Sequence, residues 1–220
     1  MPNAYLPGID VSSNQGVIDW DKVAQAGVTF AFARAAIGGH QPDKQFAANW
    51  TGMQNAGIIR GAYHFFWPLT PWHDQAITFI DTVITLKSGD LPPALDLEEA
   101  FAKSDTEHKH DFWNDVPFAQ RLPMIQSWIA AVNDAFGVAP IIYTRQNFIE
   151  ELLGDGVEQL SGSPLWIAHY DVLQPKFPTA WDAWTFWQFT EKDSVSGVTG
   201  KVDGDRFQGS LADLQALTKP

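Results

Sequence analysis

The chain has 220 residues, 45% of them hydrophobic, which is enough apolar material for one full core and predicts a single domain over residues 1–220. With no cysteine in the sequence, disulfides and thiolate metal sites are excluded. A formal net charge of −12, from 26 acidic and 14 basic residues, repels phosphate backbones and anionic lipid, so nucleic acid and membrane surfaces are not expected partners.

Short apolar runs rich in β-formers recur along the chain. Candidate strands are Gly8–Val11, Thr29–Ala36, Ile58–Phe66, Pro93–Glu98, Pro140–Thr144, Leu165–Tyr170, Thr185–Phe189 and Lys201–Phe207. Helical periodicity fills several of the gaps. Asp19 is placed to cap a helix starting at Trp20. Phe46–Asn55 ends before Gly57, Asp74–Leu86 ends near Gly89, and Ala119–Phe136 is closed by Gly137. Strands alternating with helices predict βα units and a parallel sheet, and about eight strands predict closure. The fold class expected is therefore α/β, an irregular (β/α) TIM-like barrel, with little helix between the last strands.

No stretch approaches the roughly 18 apolar residues of a membrane span. The segment MPNAYLPGIDVSS lacks the basic-then-apolar pattern of a signal peptide. Ala100–Pro117 is the one long polar stretch. Following a strand directly, it is expected as a loop on the rim where barrel enzymes bind substrate.

Barrel enzymes carry their chemistry at the C-terminal ends of strands. Four acids fall at such ends, Asp10, Asp96, Glu98 and either Asp203 or Asp205. Within Leu95-Asp96-Leu97-Glu98, alternate residues share a face, so the two carboxyls project together while the leucines enter the opposite layer. The strand rise separates them by about 6.6 Å, and side-chain freedom brings the carboxyls into the spacing of roughly 5–9 Å that glycosidases use. Paired carboxyls disfavour double ionisation. The longer Glu98 is expected to keep the proton and Asp96 to stay charged. Asp-Leu-Glu-Glu could instead open a helix, where acids suit the dipole, but the preceding Pro92-Pro93-Ala94-Leu95 reads as extended.

The chain holds 10 Trp and 15 Phe, more than a core of this size requires. Trp67, Trp166, Trp184 and Trp187, with Tyr63, Tyr143 and Tyr170, lie near predicted strand ends. Each alone reads as packing, but together they suggest flat faces for sugar rings. His64, His73, His108 and His110 lack a matched third metal ligand and are read as rim residues. Neither a metal nor a cofactor is expected, since no phosphate-binding glycine loop, dinucleotide fingerprint or serine elbow occurs.

In order along the chain stand Gly8-Ile9-Asp10-Val11-Ser12-Ser13-Asn14-Gln15-Gly16, Ile18-Asp19-Trp20, Phe32-Ala33-Arg34-Ala35 and Gly61-Ala62-Tyr63-His64-Phe65. Leu95-Asp96-Leu97-Glu98, Ile142-Tyr143-Thr144, Leu165-Trp166-Ile167-Ala168, Trp187-Gln188 and Val202-Asp203 with Phe207 and Gly209 follow. This ordered series resembles the lysozymes of glycoside hydrolase family 25 over nearly the whole chain. The resemblance implies a muramidase that cuts the β-1,4 bond between N-acetylmuramic acid and N-acetylglucosamine in bacterial peptidoglycan, with retention of configuration. It implies Glu98 as acid/base and Asp96 as its partner, the latter attacking the sugar or orienting the substrate's own acetamido group. Asp10 and Asp203 would line the same cleft. From their places at or near predicted strand ends, Asp205, Tyr63, Tyr143, Trp166 and Trp187 are expected as further substrate contacts. The resemblance also leans towards a monomer acting outside the cell, or delivered to the wall as a phage lysin is. The Ala100–Pro117 loop looks longer than is common there, and could cover the cleft, narrow substrate choice or contact the peptide stem. Two other classes fit part of the pattern, a chitinase-like acetamido-sugar hydrolase and a non-catalytic wall-binding barrel.

Overall fold

In the computed structural model, which describes residues 5–219, eight strands close into a barrel in sequence order. They are β1 (Tyr5–Val11), β2 (Phe30–Ile37), β3 (Ile59–Phe65), β4 (Ala94–Asp96), β5 (Ile141–Thr144), β6 (Leu165–Ala168), β7 (Phe186–Asp193) and β8 (Val202–Gln208). The helices are α1 (Trp20–Gln25), α2 (Phe46–Asn55), α3 (Trp72–Val83), α4 (Phe118–Phe136), α5 (Gln146–Leu153) and α6 (Leu211–Leu217).

The helix ends follow local chemistry. Asp19 caps α1 by accepting from Lys22 N, and Gly137 closes α4 in the left-handed region at φ 72°. α3 starts two residues earlier than its periodicity predicts and stops at Ile84, which takes φ 63°. α5 and α6 were not expected. α6 opens with a capping box between Ser210 and Asp213, a signal present in the sequence.

The all-parallel expectation is corrected at the last strand. β8 runs antiparallel to both β7 and β1. Only residues 194–201 link β7 to β8, fewer than the dozen or so that a parallel crossover needs. The return is therefore a hairpin, and the barrel closes without a helix there.

Two apolar layers form. Leu95, Leu97, Trp113, Trp128 and Trp187 belong to the layer between barrel and helices. Phe30, Phe32, Trp166, Phe186 and Phe207 fill the barrel itself. Phe32 stacks on Trp166 with ring centroids 4.5 Å apart. The large rings fit because small residues face them. A Cβ on Gly8 would lie 2.3 Å from the Phe30 ring, and one on Gly61 would lie 2.3 Å from Phe32, so both positions demand glycine for close approach. This aromatic plug fills the barrel and forms the floor beneath its C-terminal rim.

Candidate active site

β4 ends at Asp96, two residues short of the predicted strand, so Glu98 stands just past its end. Extended pairing persists one step further, since Leu97 N donates to the Tyr143 carbonyl at 2.9 Å. The alternation therefore survives. Asp96 and Glu98 both line an open cleft of about 270 Å³, while Leu95 and Leu97 pack on the helix side.

Asp10, at the end of β1, lies directly across from Asp203 in the antiparallel β1–β8 register. Tyr63, Tyr143 and Trp166 complete the predicted part of the cleft. Trp166 is 2% exposed, so it serves as floor more than as open platform.

Gln188 organises one wall. Its amide donates to Asp10 Oδ2 at 2.6 Å, and its oxygen accepts from the hydroxyls of Tyr143 at 2.8 Å and Tyr170 at 2.5 Å. The sequence reading missed Gln188 as a site residue, although a glutamine inside the apolar Thr185–Phe189 run was a usable signal. It also gave no role to Arg34, the one cation among the described residues that line the cleft. Arg34 forms a 2.8 Å ion pair with Asp43 and reaches Ser13 Oγ at 3.4 Å. Tyr170 and Glu191 line the cleft as well.

Five residues are placed otherwise than expected. Trp187 does not reach the cleft. Its parity along β7 is opposite to that of Gln188, and its indole donates to the His169 carbonyl at 2.8 Å within the outer layer, fully buried. Asp205 is 1% exposed and sits below the cleft, where Oδ1 accepts from Trp166 Nε1 at 2.9 Å. His64 is a buried residue of the outer layer, stacked on Trp128 and hydrogen-bonded through Nε2 to Gln75 at 3.1 Å. Burial lowers its pKa to about 4, so it is neutral at ordinary pH. Trp67 and Trp184 are also absent from the cleft lining.

The Ala100–Pro117 loop contributes no lining residue to the cleft. It folds beside the cleft, held by Asp111 Oδ1, which accepts from the backbone N–H of Ala100 and of Trp113. Trp113, buried and stacked on Phe66 at 5.6 Å, donates its indole N–H to the Glu98 carbonyl at 3.0 Å. The loop thus braces the backbone of the acid from behind.

Crowding the carboxyls dictates their protonation. Burial raises the Glu98 pKa to about 7, with Glu99 and Asp203 adding to the rise and Arg145 opposing it. Burial likewise raises Asp203 to about 6, helped by the charge of Glu191. Asp10, Asp96 and Asp205 are pushed well above the carboxylate range, again chiefly by burial and then by the charges of Asp203, Glu98 and Asp10 respectively. Asp96 therefore does not stay ionised as freely as its spacing suggested. The cage shares protons. Asp96 Oδ1 is buried without a hydrogen-bond partner, while the residue itself lines the cleft. Among the described residues, no group of three or more His, Cys, Asp or Glu is arranged to hold a metal ion.

A barrel rim carrying a carboxyl that holds its proton near neutrality, beside a second carboxyl on the same face, defines a glycoside hydrolase-type site. The family described as "Glycosyl hydrolases family 25" matches residues 9–198. Lysozyme M1 of Streptomyces globisporus is 34% identical over 219 residues, covering 96% of this chain and 71% of that protein. The crystal structure of the bacterial lysozyme from Streptomyces coelicolor superposes with a TM-score of 0.90 at 34% identity, covering 98% and 97% of the two chains. The muramidase from Acremonium alcalophilum gives a TM-score of 0.85 at 26% identity over 96% and 98%. The chain belongs to glycosyl hydrolase family 25.

Proposed function

We propose that the protein is a muramidase that hydrolyses the β-1,4 bond between N-acetylmuramic acid and N-acetylglucosamine in bacterial peptidoglycan. The observation that carries this reading is the pair on one rim, Glu98 with its proton held to about pH 7 beside Asp96 on the lining of the same cleft. Family membership and the lysozyme and muramidase names of the relatives support it.

Glu98 hands its proton to the departing glycosidic oxygen, then serves as base for the incoming water. The Asp96 carboxyl, on the cleft lining, accepts from the acetamido N–H of the sugar. This steers the acetamido oxygen onto the anomeric carbon, so that two displacements retain configuration. Asp203, with the lower of the raised pKa values, carries negative charge that favours positive charge on the sugar ring, and Asp10, Tyr63 and Tyr143 border the ring's site. Asp205 and Trp187 have no substrate contact in this mechanism. The whole cleft comes from one chain, which suits action as a monomer. A charge of −12 directs the protein away from nucleic acid and anionic membrane. Its place of action is the cell wall.

The test is the identity of the new reducing sugar when purified peptidoglycan is digested. Fragments ending in reducing N-acetylmuramic acid are expected. Reducing N-acetylglucosamine would overturn the assignment, and so would cleavage of chitin oligomers with peptidoglycan left intact.

A further inference from the structure

Beside the cleft lies a second pocket of about 510 Å³, built at the ends of β5 and β6. Tyr170 borders both spaces, and Glu99, the neighbour of the acid, borders the second. The two differ in charge. The cleft sets Asp10, Asp96, Glu98, Asp203 and Glu191 against Arg34 alone. The second pocket sets Arg145 and Lys176 against Glu99 and Glu151. Arg145 is paired with Glu99. Lys176 forms no ion pair among the described residues, and its backbone N–H is anchored to His169 Nδ1 at 2.9 Å. Its ammonium is therefore an unspent cation on a fixed turn. Asn147, exposed on the first turn of α5, adds an amide that can both donate and accept.

The substrate's chemistry meets this arrangement. Each muramic acid carries a lactyl ether that leads into a peptide with free carboxylates. A stem leaving the reacting sugar is repelled by a cleft lined with acids and drawn to the nearest free cation. We propose that the second pocket is the binding site for the peptide stem of the wall glycan, with Lys176 taking a stem carboxylate and Asn147 the peptide backbone. The proposal rests on the muramidase reading and names the part of the substrate that this reading leaves unplaced.

Two glycans separate the readings, uncrosslinked peptide-bearing chains and the same chains stripped of peptide by an amidase. Wild type should show a higher kcat/KM on the peptide-bearing chains. Lys176→Glu should raise KM on them about tenfold, the weight of one charge contact, with kcat held and with rates on stripped chains unchanged within about twofold. Asn147→Ala should follow the same pattern more weakly. Rates on stripped chains double as the check on folding. Equal losses on both substrates, or no loss on either, would overturn the stem site while leaving the muramidase reading intact. Failure of the wild type to cut either chain would overturn both.

Discussion

At the scale of single residues, the informative acid is one that does no visible chemistry. Asp205 accepts the Trp166 indole N–H through one oxygen, while its other oxygen is buried without a partner. Burial and the charge of Asp10 push its carboxyl far above the usual range. In the neutral form the second oxygen can carry the proton and become a donor towards the charge of Asp10 that raises it. Asn presents the same shape with an N–H in place of the O–H. Asp205→Asn should therefore keep kcat/KM within about threefold, with its pH profile in place. Asp205→Ala, which strands the indole N–H, should lose about 1–3 kcal/mol of stability in denaturant melts. A pH profile displaced by the Asn variant would mean that Asp205 is ionised at work.

Between residues and the barrel stand the elements, where a two-residue period carried much of the site. It put Asp96 and Glu98 on one face because extended backbone continues past the end of β4. The same period, applied to β7, separates Gln188 from Trp187, yet aromatic character and nearness to a predicted strand end group Trp187 with the cleft. Parity was legible, but its sign was not, since nothing in one strand says which face meets the barrel. Asp205 shares its face with Asp203 yet lies one layer deeper, and depth along a strand has no local signal. The reversal of β8 could have been read from its short link to β7. The brace from Trp113 to the Glu98 carbonyl could not, because it joins residues 15 apart through a loop without periodicity. Trp113→Phe keeps one aromatic ring against Phe66 but removes the indole N–H and leaves a cavity at a buried site. It should lower kcat several-fold with KM little changed, while the melting temperature falls by more than the roughly 2–4 °C of one lost hydrogen bond. Steady-state kinetics beside thermal melts would check this, and an unchanged kcat would deny the brace a role.

Over the whole molecule, gathering acids at one rim opposes stability, and the sign can be stated. A carboxyl whose folded pKa exceeds its unfolded value binds more protons folded than unfolded between the two. Its contribution is full below the unfolded value and is lost as pH rises through the folded one. For Asp203 that window runs from 3.8 to about 6, and for Glu98 from 4.5 to about 7. Asp10, Asp96 and Asp205 act in the same direction. Asp43, held low by backbone N–H groups and Arg34, opposes them only at more acid pH. The melting temperature should therefore peak near pH 4–5 and decline towards neutrality. Glu98→Gln should flatten part of that decline, gaining on the order of 1 kcal/mol at pH 7 once cleft solvent is allowed for. Calorimetry across pH checks both, and stability rising from pH 5 to 7 would contradict the shared-proton cage. The closed barrel and the order of its strands were legible from alternation and spacing, since these depend on pattern alone. The protonation of the cage was not, because desolvation belongs to the assembled molecule.

Everything in the mechanism depends on the proton of Glu98. Turnover of uncrosslinked peptidoglycan by Glu98→Gln tests it most directly, because an amide fills the same space and cannot protonate a leaving oxygen. The account predicts a rate lower by at least about 10²-fold in a protein that melts no earlier than wild type. Turnover within a few-fold of wild type, from an equally folded variant, would contradict it.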